Sequence, residues 1–176
     1  MLEIIIACLV IISIVSFFFV LFNNKFQLSI IKIAKAEEDI ELFLEKKKDL
    51  LTRSRTIIKK ALKSDKYLSD LDSNFEELNN FEVHNLLKNV YNDLFKVVDE
   101  NEKLLKSEQL VKILEELNDN EADIVGSIKF YNDTVVEYNG LVSTFPSNIV
   151  ALFKKYKKKD FYNNEKREIF EILNDK

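Results

Sequence analysis

Residues 130–153 read FYNDTVVEYNGLVSTFPSNIVALF, and the rest of the chain can be laid out around them. Tyr131 and Tyr138 stand seven apart and share one helix face, with Asn132 and Asn139 repeating the interval beside them. Upstream, Leu110, Leu114, Leu117, Ile124, Ile128, Tyr131, Val135, Tyr138 and Val142 follow steps of four and three, broken only at Glu121. Such a heptad seam, roughly thirty residues long, predicts a third helix that needs partners along its whole length. Gly126 within it is expected to admit a close neighbour. Pro146 disfavours helical backbone in the residue before it, so this helix should stop between Gly140 and Thr144. Past the Phe145-Pro146-Ser147-Asn148 corner the pattern restarts. A short fourth helix is expected from Ser147 to Tyr156, burying Ile149, Val150, Leu152 and Phe153.

The 176 residues include two Gly and one Pro. Sheet-rich domains need turn residues at short intervals, so this scarcity points to long helices and few loops. Basic residues number 26 and acidic residues 30, intermixed, for a net charge of −4. No overall field favours nucleic acid. The one cysteine, Cys8, lies in an apolar run, so no intramolecular disulfide can form.

That run covers residues 4–22, carries no charge, and has Ser13 and Ser16 as its only hydroxyl side chains. At helical rise it reaches about 28 Å, close to the ~30 Å hydrocarbon core of a bilayer. A cleaved leader fits poorly, since no Lys or Arg precedes the run and the Ala34-x-Ala36 pattern lies well beyond it. Ile5-Ile6-Ala7-Cys8 resembles a lipoprotein box, but too few residues precede it. An uncleaved transmembrane helix is expected. Lys25, Lys32 and Lys35 follow the span, which predicts an outside N-terminus and a cytoplasmic C-terminal domain of a single-pass cell-membrane protein.

Beyond the span, Phe43/Leu44, Leu50/Leu51 and Ile57/Ile58 recur every seven residues, and Ile33 and Ile40 extend the stripe backwards. Lys46, Lys47, Lys48, Arg53, Arg55, Lys59 and Lys60 fall between them. The pattern predicts a first amphipathic helix over residues 26–63, with Asn23-Asn24 as a hinge or a headgroup-level pair. A turn over 64–73 leads to a second helix, with Ser73 as its cap and Phe75, Leu78, Leu87, Val90, Leu94 and Val97 inward. Residues 99–107 read as a loop. The expected fold is all-α, a single N-terminal transmembrane helix followed by an antiparallel bundle of long helices, about four in number. Its divisions are a short outer terminus (1–3), the span (4–22), the bundle (26–158) and a charged tail (159–176).

Alternating helix directions would carry the Phe145-Pro146 corner to the end of the bundle away from the membrane. Tyr131 and Tyr138 then read as seam residues whose hydroxyls, with the amides of Asn132 and Asn139 beside them, satisfy polar groups near a bundle end, in preference to a recognition surface. Phe145, Pro146, Ser147 and Asn148 read as a rigid link in preference to a partner site. Lys154, Lys155, Lys157, Lys158 and Lys159 surround Tyr156. At the far end they would lie beyond the ~8 Å Debye length from the bilayer, so a solvated face or protein contact is expected. Lone His84 has no ligand one turn away, and no phosphate loop, nucleophile elbow or Cys/His cluster occurs.

Y-N-x-x-V-x-E-Y-N over residues 131–139, followed by T-F-P-S-N over 144–148, resembles the C-terminal signature of the LemA family, membrane-anchored helical proteins of bacteria. The 104–118 segment also resembles that family's entry into its third helix. Two positions depart: Glu37 stands where the family usually has tryptophan, and its D-L-I-P-N segment reads Asp49-Leu50-Leu51-Thr52-Arg53 here. The resemblance implies an all-helical antiparallel bundle with no known enzymatic activity, and the missing motifs predict no cofactor and no metal. The expected function is a non-enzymatic membrane-tethered scaffold, in contact with the bilayer through residues 4–22 and with an unidentified protein partner, but not with nucleic acid. The alternatives are a self-assembling structural protein that organises the membrane as a homo-oligomer and, ranked below both, a metal-dependent hydrolase.

Overall fold

A computed structural model describes residues 1–162, and among these all regular structure is helical. Four α-helices follow in order: α1, Leu2–Leu62; α2, Asn80–Glu100; α3, Glu108–Ser143; and α4, Ser147–Lys154. Short 3₁₀ turns occupy Ser69–Asp72, Phe75–Glu77 and Glu102–Lys106. The expected all-helical bundle is present, with one long apolar N-terminal helix. Residues 163–176, most of the expected charged tail, lie outside the described residues.

No hinge interrupts α1 at Asn23-Asn24, so the apolar run and the first amphipathic helix are one element. Its buried positions are Phe26, Ser29, Ile33, Ala36, Ile40, Leu44, Lys47, Leu51, Ser54 and Ile58, with Leu50 beside them. Those ten recur in steps of three and four, as a helix buried along one stripe requires. Lys47 therefore belongs to the inward stripe, not to the exposed charges between the apolar pairs.

The chain forms two compact units. The first comprises Met1–Ala36 and Phe130–Lys176. Its core sets Phe26 of α1 edge-on to Tyr138 of α3, ring centroids 5.7 Å apart, with Tyr156 4.8 Å away on another side. Val135 of α3 and Val150 and Ala151 of α4 are also buried. Here α3 runs antiparallel to α1. Tyr138 meets Phe26, and further on Phe145 and Pro146 meet Phe18, Phe19 and Phe22.

The second unit, Glu37–Lys129, contains α2. Asn79 accepts from the backbone N–H groups of Phe81 and Glu82 at 3.0 Å each, while Glu82 accepts from Asn79 N at 2.9 Å. This reciprocal cap starts α2 at Asn80 rather than behind Ser73. Phe75 lies in a 3₁₀ turn under the Lys48 ammonium, which sits 3.9 Å from the ring centroid. Consequently α2 begins beside Glu41, Leu44 and Lys48, while its last turns meet Leu68, Ser69 and Asp70. It runs parallel to this part of α1, not back along it. The cause is the linker, which covers residues 63–79 instead of 64–73. That length retraces five turns of α1, roughly 27 Å, and releases α2 in the original direction. Arg55 fixes the linker partway by forking onto Asp72 at 2.6 and 2.7 Å. Residues 102–106, expected as loop, wind into a turn that buries Leu104. Gly126 meets nothing within 4 Å of where a Cβ would lie, so no neighbour approaches closely there.

Candidate functional site

The signature residues of α3 hold the chain that follows them. After α4, Lys155 adopts a left-handed conformation (φ 57°), and Tyr156 N donates to Ala151 O at 2.9 Å. This ending reverses the chain, which then follows α3 without regular structure through residue 162. Asn139 Nδ2 donates to Lys159 O at 2.9 Å, and Asn139 Oδ1 accepts from Lys159 N at 2.8 Å. Seven residues earlier, Asn132 Oδ1 accepts from Tyr162 N at 2.9 Å. Tyr131 Oη donates to Asp160 O at 3.1 Å, and its ring lies 6.1 Å from that of Tyr162.

The intervals explain the pattern. Seven helical residues rise about 10.5 Å, and three extended residues cover about 10 Å. An amide repeated every seventh position on a helix thus meets every third residue of an extended segment. The Tyr-Asn repeat is a rail for the protein's own backbone. Tyr131, Asn132, Tyr138 and Asn139 are all buried, and burial raises the Tyr138 phenol above its ordinary pKa. The sequence placed the two tyrosines in the seam and the two asparagines beside it but did not identify the backbone they hold.

The corner between α3 and α4 lies elsewhere than expected. Ser147 Oγ and Asn148 N both donate to Thr144 O at 2.9 Å, fastening the turn across a cis Phe145-Pro146 peptide. Phe145, Pro146, Ile149 and Val150 line an apolar cavity of about 400 Å³ with Val15, Phe18, Phe19 and Phe22. The corner therefore sits against the last turns of the apolar run, not at an end remote from it. The expected alternation failed because α2 does not reverse direction.

The fourth helix also buries less than its pattern suggested. Val150 and Ala151 are buried, but Phe145 and Leu152 are each 79 % exposed, Phe153 73 % and Ile149 46 %. Above this apolar face comes a polar layer. Tyr156 Oη donates to Asn23 Oδ1 at 3.3 Å and accepts from Gln27 Nε2 at 2.7 Å. Lys154, Lys155, Lys157 and Lys158 are exposed around it, and Lys159 is half-buried on the Asn139 clip.

The second unit holds a different polar site. The Lys47 side chain is fully buried and pairs with Glu121, itself 24 % exposed. Its ammonium stands 4.9 Å from the Tyr91 ring centroid. Next to this pair, Asn120 Nδ2 donates to Phe43 O at 3.0 Å. Burial lowers the Lys47 pKa from its ordinary value, and Glu121 opposes that shift. Burial likewise lowers His84, reinforced by the charge of Lys47. The Glu121 break in the third-helix seam and the arrival of Lys47 on the first-helix stripe are two halves of one contact. The sequence showed the Glu121 break, but it placed Lys47 among the charges between the apolar pairs. Among the described residues, no group of three His, Cys, Asp or Glu side chains is placed to hold a metal ion.

These features define an all-helical protein whose N-terminal helix is long and apolar enough to cross a membrane and whose third helix clasps the following chain. The model of the LemA family matches residues 36–172, most of the chain, and the protein belongs to that family. The apolar run precedes the matched region, so its reading rests on its own residues. No curated protein and no solved structure matches the chain.

Proposed function

We propose that this LemA-family protein is a non-enzymatic scaffold tethered to the cytoplasmic membrane by residues 4–22, with its N-terminus outside and its helical units in the cytoplasm. The observation that carries the reading is the state of the apolar run. Ile4, Leu9, Ile11, Val15 and Phe17 all lie more than half exposed on a continuous helix, in a run of residues without a charge. In water that surface would drive association, whereas a bilayer covers it. Lys25, Lys32 and Lys35 on the following turns support the orientation.

A scaffold also needs a surface for its protein partner. In the first unit the signature amides are engaged with residues 159 and 162. The partner surface is therefore assigned to residues 37–129, where Leu42 and Phe81 expose large apolar side chains. Photocrosslinkers placed at Leu42 and Phe81 in cells test this. Recovery of one reproducible protein adduct is expected, while an indiscriminate set of membrane proteins would contradict the scaffold reading. A self-adduct alone would favour the self-assembling alternative.

A further inference from the structure

We infer that the corner of residues 145–153 is a second membrane contact, an interfacial helix whose apolar face enters the cytoplasmic leaflet and whose lysines bind anionic headgroups. The inference rests on the anchoring proposed above and deepens it, because nothing in an anchor alone requires the fourth helix to touch lipid.

The first argument is depth. Phe145, Pro146 and Ile149 share a cavity with Val15, Phe18, Phe19 and Phe22, and the Phe153 ring lies 6.4 Å from that of Phe19. If the hydrocarbon ends at Phe22, Phe18 and Phe19 lie about 5–6 Å inside it, which falls within the ~5–10 Å to which interfacial helices sink. The second argument is the sorting of side chains. Phe145, Ile149, Leu152 and Phe153 expose a continuous apolar surface beside the span. Asn23, Gln27 and Tyr156 form a hydrogen-bonded polar layer one to two turns further along α1. A tyrosine at such a boundary matches the aromatic belt of membrane proteins.

The third argument is charge. Lys154, Lys155 and Lys157 project from the end of α4, and Lys25 stands on α1 with its ammonium 5.5 Å from the Phe22 ring centroid. No acidic residue occurs in 138–159. Lysines at this level reach phosphate groups while their stems cover apolar surface. Continuity with the apolar run and charge complementarity select a bilayer over a soluble partner.

The test uses the full chain, with Cys8→Ser removing the native thiol, in vesicles of phosphatidylcholine and phosphatidylglycerol. Spin labels are placed singly through Val10→Cys, Leu152→Cys and Glu116→Cys, and accessibility to oxygen and to a polar nickel chelate is compared. The label at 152 should favour oxygen, less strongly than the label at 10, while the label at 116 favours nickel. Replacing Lys154, Lys155 and Lys157 by Gln, or omitting the anionic lipid, should erase the oxygen preference at 152 and leave that at 10 unchanged. A label at 152 that favours nickel while 10 favours oxygen overturns this inference and spares the anchor. Nickel preference at both 10 and 152 overturns both. A label at 152 shielded from both reagents indicates a protein partner or second copy on the corner, which also overturns it. An oxygen preference at 152 that survives loss of lysines and anionic lipid overturns the headgroup assignment.

Discussion

The two units bury polar groups in opposite ways. The first uses neutral amides and a phenol aimed at backbone, as in Asn139 with Lys159 and Tyr131 with Asp160. The second buries a charge, Lys47, and relies on Glu121 to neutralise it. Neutral clips depend little on pH and are replaceable one at a time. A buried ion pair is costly to desolvate and fails sharply when either partner is lost. The contrast suggests that the first unit is built to hold a segment in place and the second to hold a specific helix register.

The largest effect should follow from breaking the charge pair. Glu121→Gln leaves the Lys47 ammonium buried without a counter-charge and should destabilise the second unit by about 3 kcal/mol, measured by denaturant unfolding in mild detergent. Lys47→Met combined with Glu121→Leu should recover most of that loss, because apolar packing replaces two desolvated charges. If Glu121→Gln proved silent, the pair would be a surface contact and the contrast would vanish.

Next in size is the clip. Asn139→Ala removes two hydrogen bonds to Lys159 and should cost about 2 kcal/mol locally, seen as faster amide exchange over residues 156–162. Asn139→Asp keeps the acceptor for Lys159 N but buries a carboxylate against the Lys159 carbonyl, so at neutral pH it should cost at least as much as Asn139→Ala.

A smaller effect should appear with pH. Burial holds the His84 pKa below its ordinary value, with Lys47 and Lys88 adding to the shift and Glu121 opposing it. The unfolded chain therefore takes up a proton near pH 6.5 that the folded chain resists. This contribution is complete above about pH 6.5 and is lost as pH falls through the lower folded value. Unfolding midpoints should decline as the pH falls below about 6.5, and His84→Asn should flatten that slope. The smallest effect belongs to Arg55→Lys. Asp72 is largely exposed, so losing the fork should shift linker exchange without a measurable change in unfolding.

Much of this architecture was legible in the sequence, and the failures have physical causes. Heptad steps located α1 and α3 because both are buried along one stripe, and Pro146 marked the end of α3. The start of α2 was misplaced because Ser73, Asn74 and Asn79 all suit a cap, and only the Asn79–Glu82 reciprocity selects among them. That error of six residues hid the long linker, reversed α2, and sent the Phe145 corner to the wrong place. The Asn132–Asn139 interval could have been matched to an extended segment, since seven helical steps equal three extended ones. Nothing in the local pattern, however, indicated that residues 156–162 would supply it. The apolar face of α4 was recognised but assigned to the core, because periodicity reports a face and not what covers it.

Alkaline carbonate extraction of native membranes tests the central claim most directly, since it strips peripheral proteins and leaves chains held by a spanning helix. The full chain should stay in the pellet, and a variant lacking residues 4–22 should appear in the supernatant. Release of the intact full chain into the supernatant would contradict the account.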